Sequence, residues 1–210
     1  AVAVVNPHRP DCTYPFKEFA GVGVAFKLVS ALERSRAISE GEDPDFAERQ
    51  VLCNYADLAA IGTVADVMPL VDENRMIVTY GLLHIGKIRR MGVAALIEAA
   101  TASKSGACGS SGTKVHREIN ASFIGFTIAP RLNAAGRMDS ASVAVELLLS
   151  DNEKKAKEIA EQLCEINRQR QQEENKIATQ VFRQIENEEG YTKGDKVIVL
   201  SDNDWKQGII

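Results

Sequence analysis

The chain has no Cys-x-x-Cys pair, and none of its four cysteines (Cys12, Cys53, Cys108, Cys164) has a histidine at zinc-finger distance. That spacing argues against a small zinc module or a disulfide framework; it reads as reduced, cytosolic, mostly buried thiols. Positive charge is not in excess either: the formal net charge is −4, with Lys and Arg spread along the chain. A protein held to nucleic acid by its overall field would be basic, so any such binding here must be local. Apolar runs of membrane-spanning length are also missing, and no signal peptide is expected. What is present is ordinary globular composition, 45% hydrophobic and 26% charged over 210 residues, enough for one large domain or a domain with an appendage. The first residue is Ala1, already inside a strand-like run, and Trp205 to Ile210 break off as a new apolar segment begins. An excerpt of a longer protein is expected.

The most informative stretch is Asp57 to Leu70, DLAAIGTVADVMPL. A helical apolar pattern (Leu58, Ala59, Ile61) runs through Gly62 and Thr63 and then sets one carboxylate, Asp66, among Val64, Ala65, Val67 and Met68. A charge in that setting is costly unless paired, hydrogen-bonded or metal-bound. Pro69 lacks an N–H and stops the helix. Asp66 is therefore expected at the end of a buried helix, facing something. A capped structural aspartate and a metal or catalytic ligand both satisfy that pattern.

Around this stretch the pattern predicts alternating elements. Ala1–Val5 reads as a buried strand ended by Asn6-Pro7, and its apolar character on both faces suits a parallel sheet covered by helices. HRPDCTYPFKEF is read as loop, with His8 and Arg9 in a solvated turn or, past a strand's carboxyl end, as functional groups. Helices are expected over 21–33, up to Asp66, over 77–85 and over 92–100. The GVGVA start of the first lacks the third glycine and the acidic residue of a dinucleotide fingerprint, so it reads as close packing. VDENR is read as a polar turn, and His84 as a half-buried helical residue. Lys87, Arg89 and Arg90 read as a solvated basic cluster at a helix C-terminus. The Ser/Gly-rich stretch 101–115 is read as an exposed loop.

Ala121 to Arg137, ASFIGFTIAPRLNAAGR, is the second informative stretch. An apolar helix meets Pro130, and Arg131, Asn133 and Arg137 follow within seven residues, separated by Ala134, Ala135 and Gly136. Small residues permit close backbone approach and arginine forks suit phosphate, as an anion-binding turn requires. A tight helix–helix junction whose arginines pair with acids such as Asp139 explains the same letters. Ser140 to Leu149 is read as a short core helix, with Ser140 expected as N-cap. From Asp151 to about Glu189 apolar residues recur at helical spacing, except for a polar gap near RQRQQEEN, as in a solvent-bridging connector rather than a coiled coil. KVIVL (196–200) is read as a fresh strand.

GTVADVMPL, followed by IAPRLNAAGRM, resembles the RecJ family of single-strand-specific DNA exonucleases within the DHH phosphoesterase superfamily. VVNPHRPDC, AGVGVAF, the long helix and DWKQGII fall in the matching order. The resemblance implies an α/β fold. Residues 1–150 would be the C-terminal portion of a DHH-type parallel-sheet domain, 151–189 a long connector helix and 190–210 the start of a DHHA1 domain. It implies a hydrolase in which two divalent ions (Mn2+ or Mg2+) act on a phosphodiester of single-stranded DNA from the 5′ end, in DNA repair and recombination. Asp66 matches a metal-ligating, catalytic aspartate, and Arg131, Asn133 and Arg137 match a substrate- or phosphate-binding run. The family further implies a cytoplasmic protein, read here as a monomer, with single-strand-binding protein and a helicase as working partners and no membrane. One aspartate cannot hold two ions, so the 210-residue chain alone is expected to bind metal poorly and to leave DNA uncut. An oligonucleotide or cyclic dinucleotide phosphodiesterase, and a non-catalytic repair interaction module, are the alternatives.

Overall fold

The computed structural model describes residues 3–87, 90–105, 119–138, 140–187, 197–206 and 208–209. The described chain is helical: α1 (Gly21–Glu40), α2 (Pro44–Ala65), α3 (Asp72–Lys87), α4 (Met91–Ser105), α5 (Ala121–Phe123), a π-helical segment (Ile124–Ile128), α6 (Ala129–Met138), α7 (Ser142–Leu149) and α8 (Glu153–Asn187).

Helix α2 organises the rest. Asp43 caps it by accepting from the Asp45 N–H (2.9 Å), and Pro44 at its first turn surrenders an N–H that would have no helical partner. Ala47, Val51, Ala56, Ala59, Ala60 and Ile61 are all buried, on more than one face, because helices lie on several sides of it. Against α3 the approach is close enough to require glycine. A Cβ on Gly81 would lie 2.2 Å from the Ala56 carbonyl oxygen and 2.4 Å from the Ala60 Cβ. Phe19 also joins Ala59 of α2 and Ile77 of α3 in a small cluster with Phe16, Val24 and Phe26. The larger core joins Ile61 of α2 to Leu96, Ile124, Ile128, Leu147 and Leu163, drawn from α4, the π segment, α7 and α8.

Helix α8 runs 35 residues, roughly 52 Å at 1.5 Å per residue. Ala156, Ile159, Ala160, Leu163 and Ile166 are buried in the core, whereas most positions after Asn167 are exposed. Further on, the Trp205 indole N–H donates to Gln180 Oε1 (3.0 Å), bringing the chain end back along the helix. No described helix is long and apolar enough to cross a membrane.

Several expectations change. Residues 3–5 and 197–200, read as strands, carry no regular structure, and Val4, Val5, Val197 and Val199 are exposed. A strand is stable only when hydrogen-bonded to a neighbour, and among the described residues none is alongside. The VDENR turn is shorter than expected, since α3 begins at Asp72. α1 continues to Glu40, and α4 runs to Ser105 into the stretch read as loop, of which 106–115 lie outside the described residues. Pro130 does not interrupt its helix. The preceding turn is π-wide, with the Ala129 N–H reaching back to the Ile124 carbonyl, which gives the proline ring room. Finally, Arg90 is not solvated: it pairs with buried Asp57.

Candidate active-site corner

Asp66 closes α2 as its C-cap, with φ −82° and ψ 2°. The next two residues complete a Schellman turn: the Val67 N–H donates to the Val64 carbonyl (3.1 Å) and the Met68 N–H to the Thr63 carbonyl (3.2 Å). The turn needs a left-handed residue at position 67. At the end of α1 the same motif uses Gly41, with φ 72°. Here Val67 occupies the slot with φ 55°, an outlier conformation for a β-branched side chain. Strain of this kind survives only where surrounding structure enforces it, and it concentrates at functional sites. Val67 is 87% exposed, so Val67→Gly forfeits little burial. That substitution is expected to raise stability by about 1 kcal/mol in chemical denaturation, since relief of the left-handed strain (~1–2 kcal/mol) outweighs the added freedom of glycine in the unfolded chain.

The expected burial of Asp66 is not found. Its side chain is exposed, and among the described residues no hydrogen bond or ion pair reaches its carboxylate. The Schellman turn swings the chain outward one residue after the helix ends, which places Asp66 on the rim rather than beneath it. Asp66 thus serves the helix end through its backbone, while its carboxylate has no partner among the described residues. Exposure alone carries no signature of a metal site.

Behind the turn the structure is firm. Asn74, with no exposed surface, donates through Nδ2 to the Glu18 carbonyl (2.6 Å) and to the Pro69 carbonyl (3.0 Å). Beside it the Tyr14 hydroxyl donates to Glu73 Oε1 (2.6 Å), and Lys27 pairs with the same carboxylate at 2.9 Å while lying 5.6 Å from the Tyr14 ring centre. Burial, with the hydrogen bond to Glu73, pushes the Tyr14 hydroxyl above its ordinary pKa. Burial alone would lower Lys27, but its bonds to Tyr14 and Glu73 outweigh that and leave it raised. The segment before α1 thus grips the start of α3, and with it the loop after Asp66.

The neighbouring element is the π segment: a Cβ on Gly125 would meet Val64 Cγ1, two residues before Asp66, at 3.4 Å. It leads directly into α6, so Arg131, Asn133 and Arg137 sit on a helix rather than on the expected anion-binding turn. At about 100° per residue, Asn133 and Arg137 share a face and Arg131 points elsewhere. Arg131 is half-buried against α8, donating through Nε to Cys164 Sγ (3.3 Å) and through a terminal nitrogen to the Thr127 carbonyl. Asn133 is exposed, and Arg137 donates to the Gly208 carbonyl (2.9 Å). Ala134 and Ala135 are fully buried, as a close helix–helix junction requires. The arginines do not pair with acids among the described residues; Asp139 lies outside them.

His8 and Arg9 lie in an exposed turn where Arg9 forms a two-pronged pair with Asp11 (2.7 and 2.9 Å), which raises the arginine and lowers the aspartate. His84 stacks on Tyr80 with ring centres 4.4 Å apart. Cys12, Cys53 and Cys164 are free thiols and half-buried; Cys108 lies outside the described residues. Two surface clefts among the described residues, one beside Lys27, Arg34 and Glu48 and one beside Glu146, Leu149 and Lys155, include none of the candidate residues. One anchoring residue pair escaped the sequence reading. Arg90 donates through Nε to Asp57 Oδ2 (3.0 Å) and through a terminal nitrogen to the Asn54 carbonyl (2.7 Å), tying the start of α4 to the helix that ends at Asp66. An aspartate at a helix position otherwise lined by alanines was its only signal.

As a test of fit to divalent ions, Asp66 offers a hard oxygen donor with no competing protein partner among the described residues. No group of three or more His, Cys, Asp or Glu side chains assembles among the described residues. Asp66 fits as one ligand; the described residues do not make a whole site.

No family model matches the sequence. The chain is 39% identical over 208 residues to the single-stranded-DNA-specific exonuclease RecJ of Bacillus subtilis, covering 99% of this chain and 23% of that protein. It is 36% identical over 219 residues to the Escherichia coli protein of the same name, covering 100% of this chain and 35% of the relative. A crystal structure of exonuclease RecJ bound to manganese superposes with a TM-score of 0.71 at 33% identity, over 95% of this chain and 44% of that one. RecJ from Thermus thermophilus in complex with Mn2+ gives 0.69 at 34% identity, over 95% and 26%. The chain therefore spans about a quarter to a third of the length of the curated relatives it matches. From end to end in sequence, and over nearly all of its length in fold, this chain is similar to a part of RecJ.

Proposed function

We propose that this chain is a central part of a RecJ-type exonuclease that hydrolyses single-stranded DNA with divalent metal ions. The observation that carries the reading is the match over the whole chain, in sequence and in fold, to RecJ proteins, two of them manganese-bound structures. Asp66 would hold a metal ion together with side chains of the longer polypeptide. When bound, paired divalent ions supply Lewis-acid stabilisation and a nucleophile for phosphodiester hydrolysis. The chain's own contribution is orientation: the Schellman turn presents the carboxylate at the rim, and α6 offers Asn133 and Arg137 on one face for a phosphodiester backbone. Arg131, committed to α8, would reach substrate only by exchanging its bond to Cys164, and is otherwise a brace for α6.

The finer architecture is part of the same proposal. Residues 1–150 would complete a DHH-type domain, with Val4 and Val5 joining a parallel sheet. Residues 151–189 would connect to a DHHA1 domain opening at 190–210. The protein would act in the cytoplasm, with single-strand-binding protein and a helicase as partners.

Two preparations compared on 5′-labelled single-stranded DNA with Mn2+ test the reading. The full-length polypeptide should release nucleotides, and long substrates should outcompete dinucleotides. The 210-residue chain, short of metal ligands, should release none. Nucleotide release by the chain alone contradicts the one-ligand account, and a preference for dinucleotides favours the short-oligonucleotide phosphodiesterase.

A further inference from the structure

We propose that Asn74 is the positioning residue of Asp66. The inference rests on the reading of Asp66 as a metal ligand and goes further, by naming what holds that carboxylate in place. Asp66 itself is exposed and has no partner among the described residues, so nothing at its tip fixes its direction. Its orientation must come from the backbone, and that backbone is unfavourable: the adjoining Val67 is held left-handed at φ 55°. A strained turn at the surface persists only if both ends are held. One end is α2. The other is Pro69, whose carbonyl accepts from Asn74 Nδ2 at 3.0 Å, while the same nitrogen donates to the Glu18 carbonyl at 2.6 Å.

One buried amide thus spans three segments: the stretch before α1, the loop after Asp66 and the first turn of α3. Both of its N–H donors are used on backbone carbonyls, and the Asn74 Oδ1 finds no partner among the described residues. The arrangement is costly for an amide that serves packing alone, because an apolar side chain of that size would leave no orphaned oxygen. It is what a tie between two loop carbonyls requires, since only the amide's donors can bridge them. The Tyr14–Glu73–Lys27 group next to it holds the same turn from the solvent side.

The test uses the full-length polypeptide and Mn2+ binding by titration calorimetry, a readout independent of turnover. Asn74→Ala and Asn74→Ser are expected to weaken Mn2+ binding about tenfold or more, in line with residues that orient metal ligands. Their loss of nucleotide release should be partly restored by excess Mn2+. Leu96→Ala, a core truncation in α4 far along the chain from the turn, serves as a control that is destabilised but should keep wild-type Mn2+ affinity. Unchanged Mn2+ affinity in both Asn74 variants overturns the proposal, and so does failure of both to fold, since the residue then serves the fold alone. Asp66→Asn separates the two ideas: if that variant binds Mn2+ like the wild type, the reading of Asp66 fails whatever Asn74 does.

Discussion

Asp66→Asn in the full-length polypeptide is expected to lower Mn2+-dependent nucleotide release from single-stranded DNA by more than about a hundredfold, since residues that only orient metal ligands already cost 10–100-fold. Stability should barely move. The side chain is exposed, and among the described residues its carboxylate makes no ion pair or hydrogen bond, so the change belongs with surface substitutions, within about 0.5 kcal/mol. The two readouts together discriminate. A structural aspartate gives a loss of stability with activity following it; a metal ligand gives a loss of activity at constant stability. Thermal denaturation beside a nuclease assay separates them, and an active, stable variant removes Asp66 from the chemistry.

Arg90→Ala is the second large effect, and its sign is the reverse: stability falls. Asp57 is 6% exposed and accepts from Arg90 at 3.0 and 3.5 Å, the guanidinium reaching α2 from the residue just before α4. Removing the guanidinium leaves a buried carboxylate without its counter-charge, held by the Leu58 N–H (2.8 Å), and removes a bond to the Asn54 carbonyl. Breaking such a pair from one side costs about 3 kcal/mol or more, because the remaining charge keeps its desolvation penalty. In a chain of this size that corresponds to a melting temperature lower by about 6–12 °C. Replacing both partners, Asp57→Leu with Arg90→Met, should recover most of the loss, since no charge is then left in the junction. A double variant as unstable as Arg90→Ala shows that shape rather than charge sets the cost.

What the letters disclosed follows from how far each determinant lies along the chain. The end of α2 at Asp66 was readable because Pro69, three residues on, is a local stop. The persistence of the helix through Pro130 was not, because it depends on a π-wide turn packed against Val64 of α2. Arg90 looked solvated by its charged neighbours, and its partner is 33 residues away. Arg131 likewise faces a thiol 33 residues distant rather than a phosphate-shaped turn. Burial of Asp66 was inferred from apolar neighbours in sequence, yet those neighbours belong to a turn that leads outward, and Val67 itself is exposed. Strand signals at 3–5 and 197–200 depend wholly on partners, which local pattern cannot supply. The site's chemistry was legible only as likeness to a family; the geometry adds the strained turn and the amide behind it.

The central claim is that the Asp66 carboxylate ligates metal when the remainder of the polypeptide is in place. A crystal of the full-length protein soaked in Mn2+, with ions located by anomalous scattering, measures it directly. The account predicts an ion at about 2.2 Å from an Asp66 oxygen, the ordinary spacing for a small divalent cation on a carboxylate. Ions bound elsewhere, with Asp66 still facing solvent, contradict it.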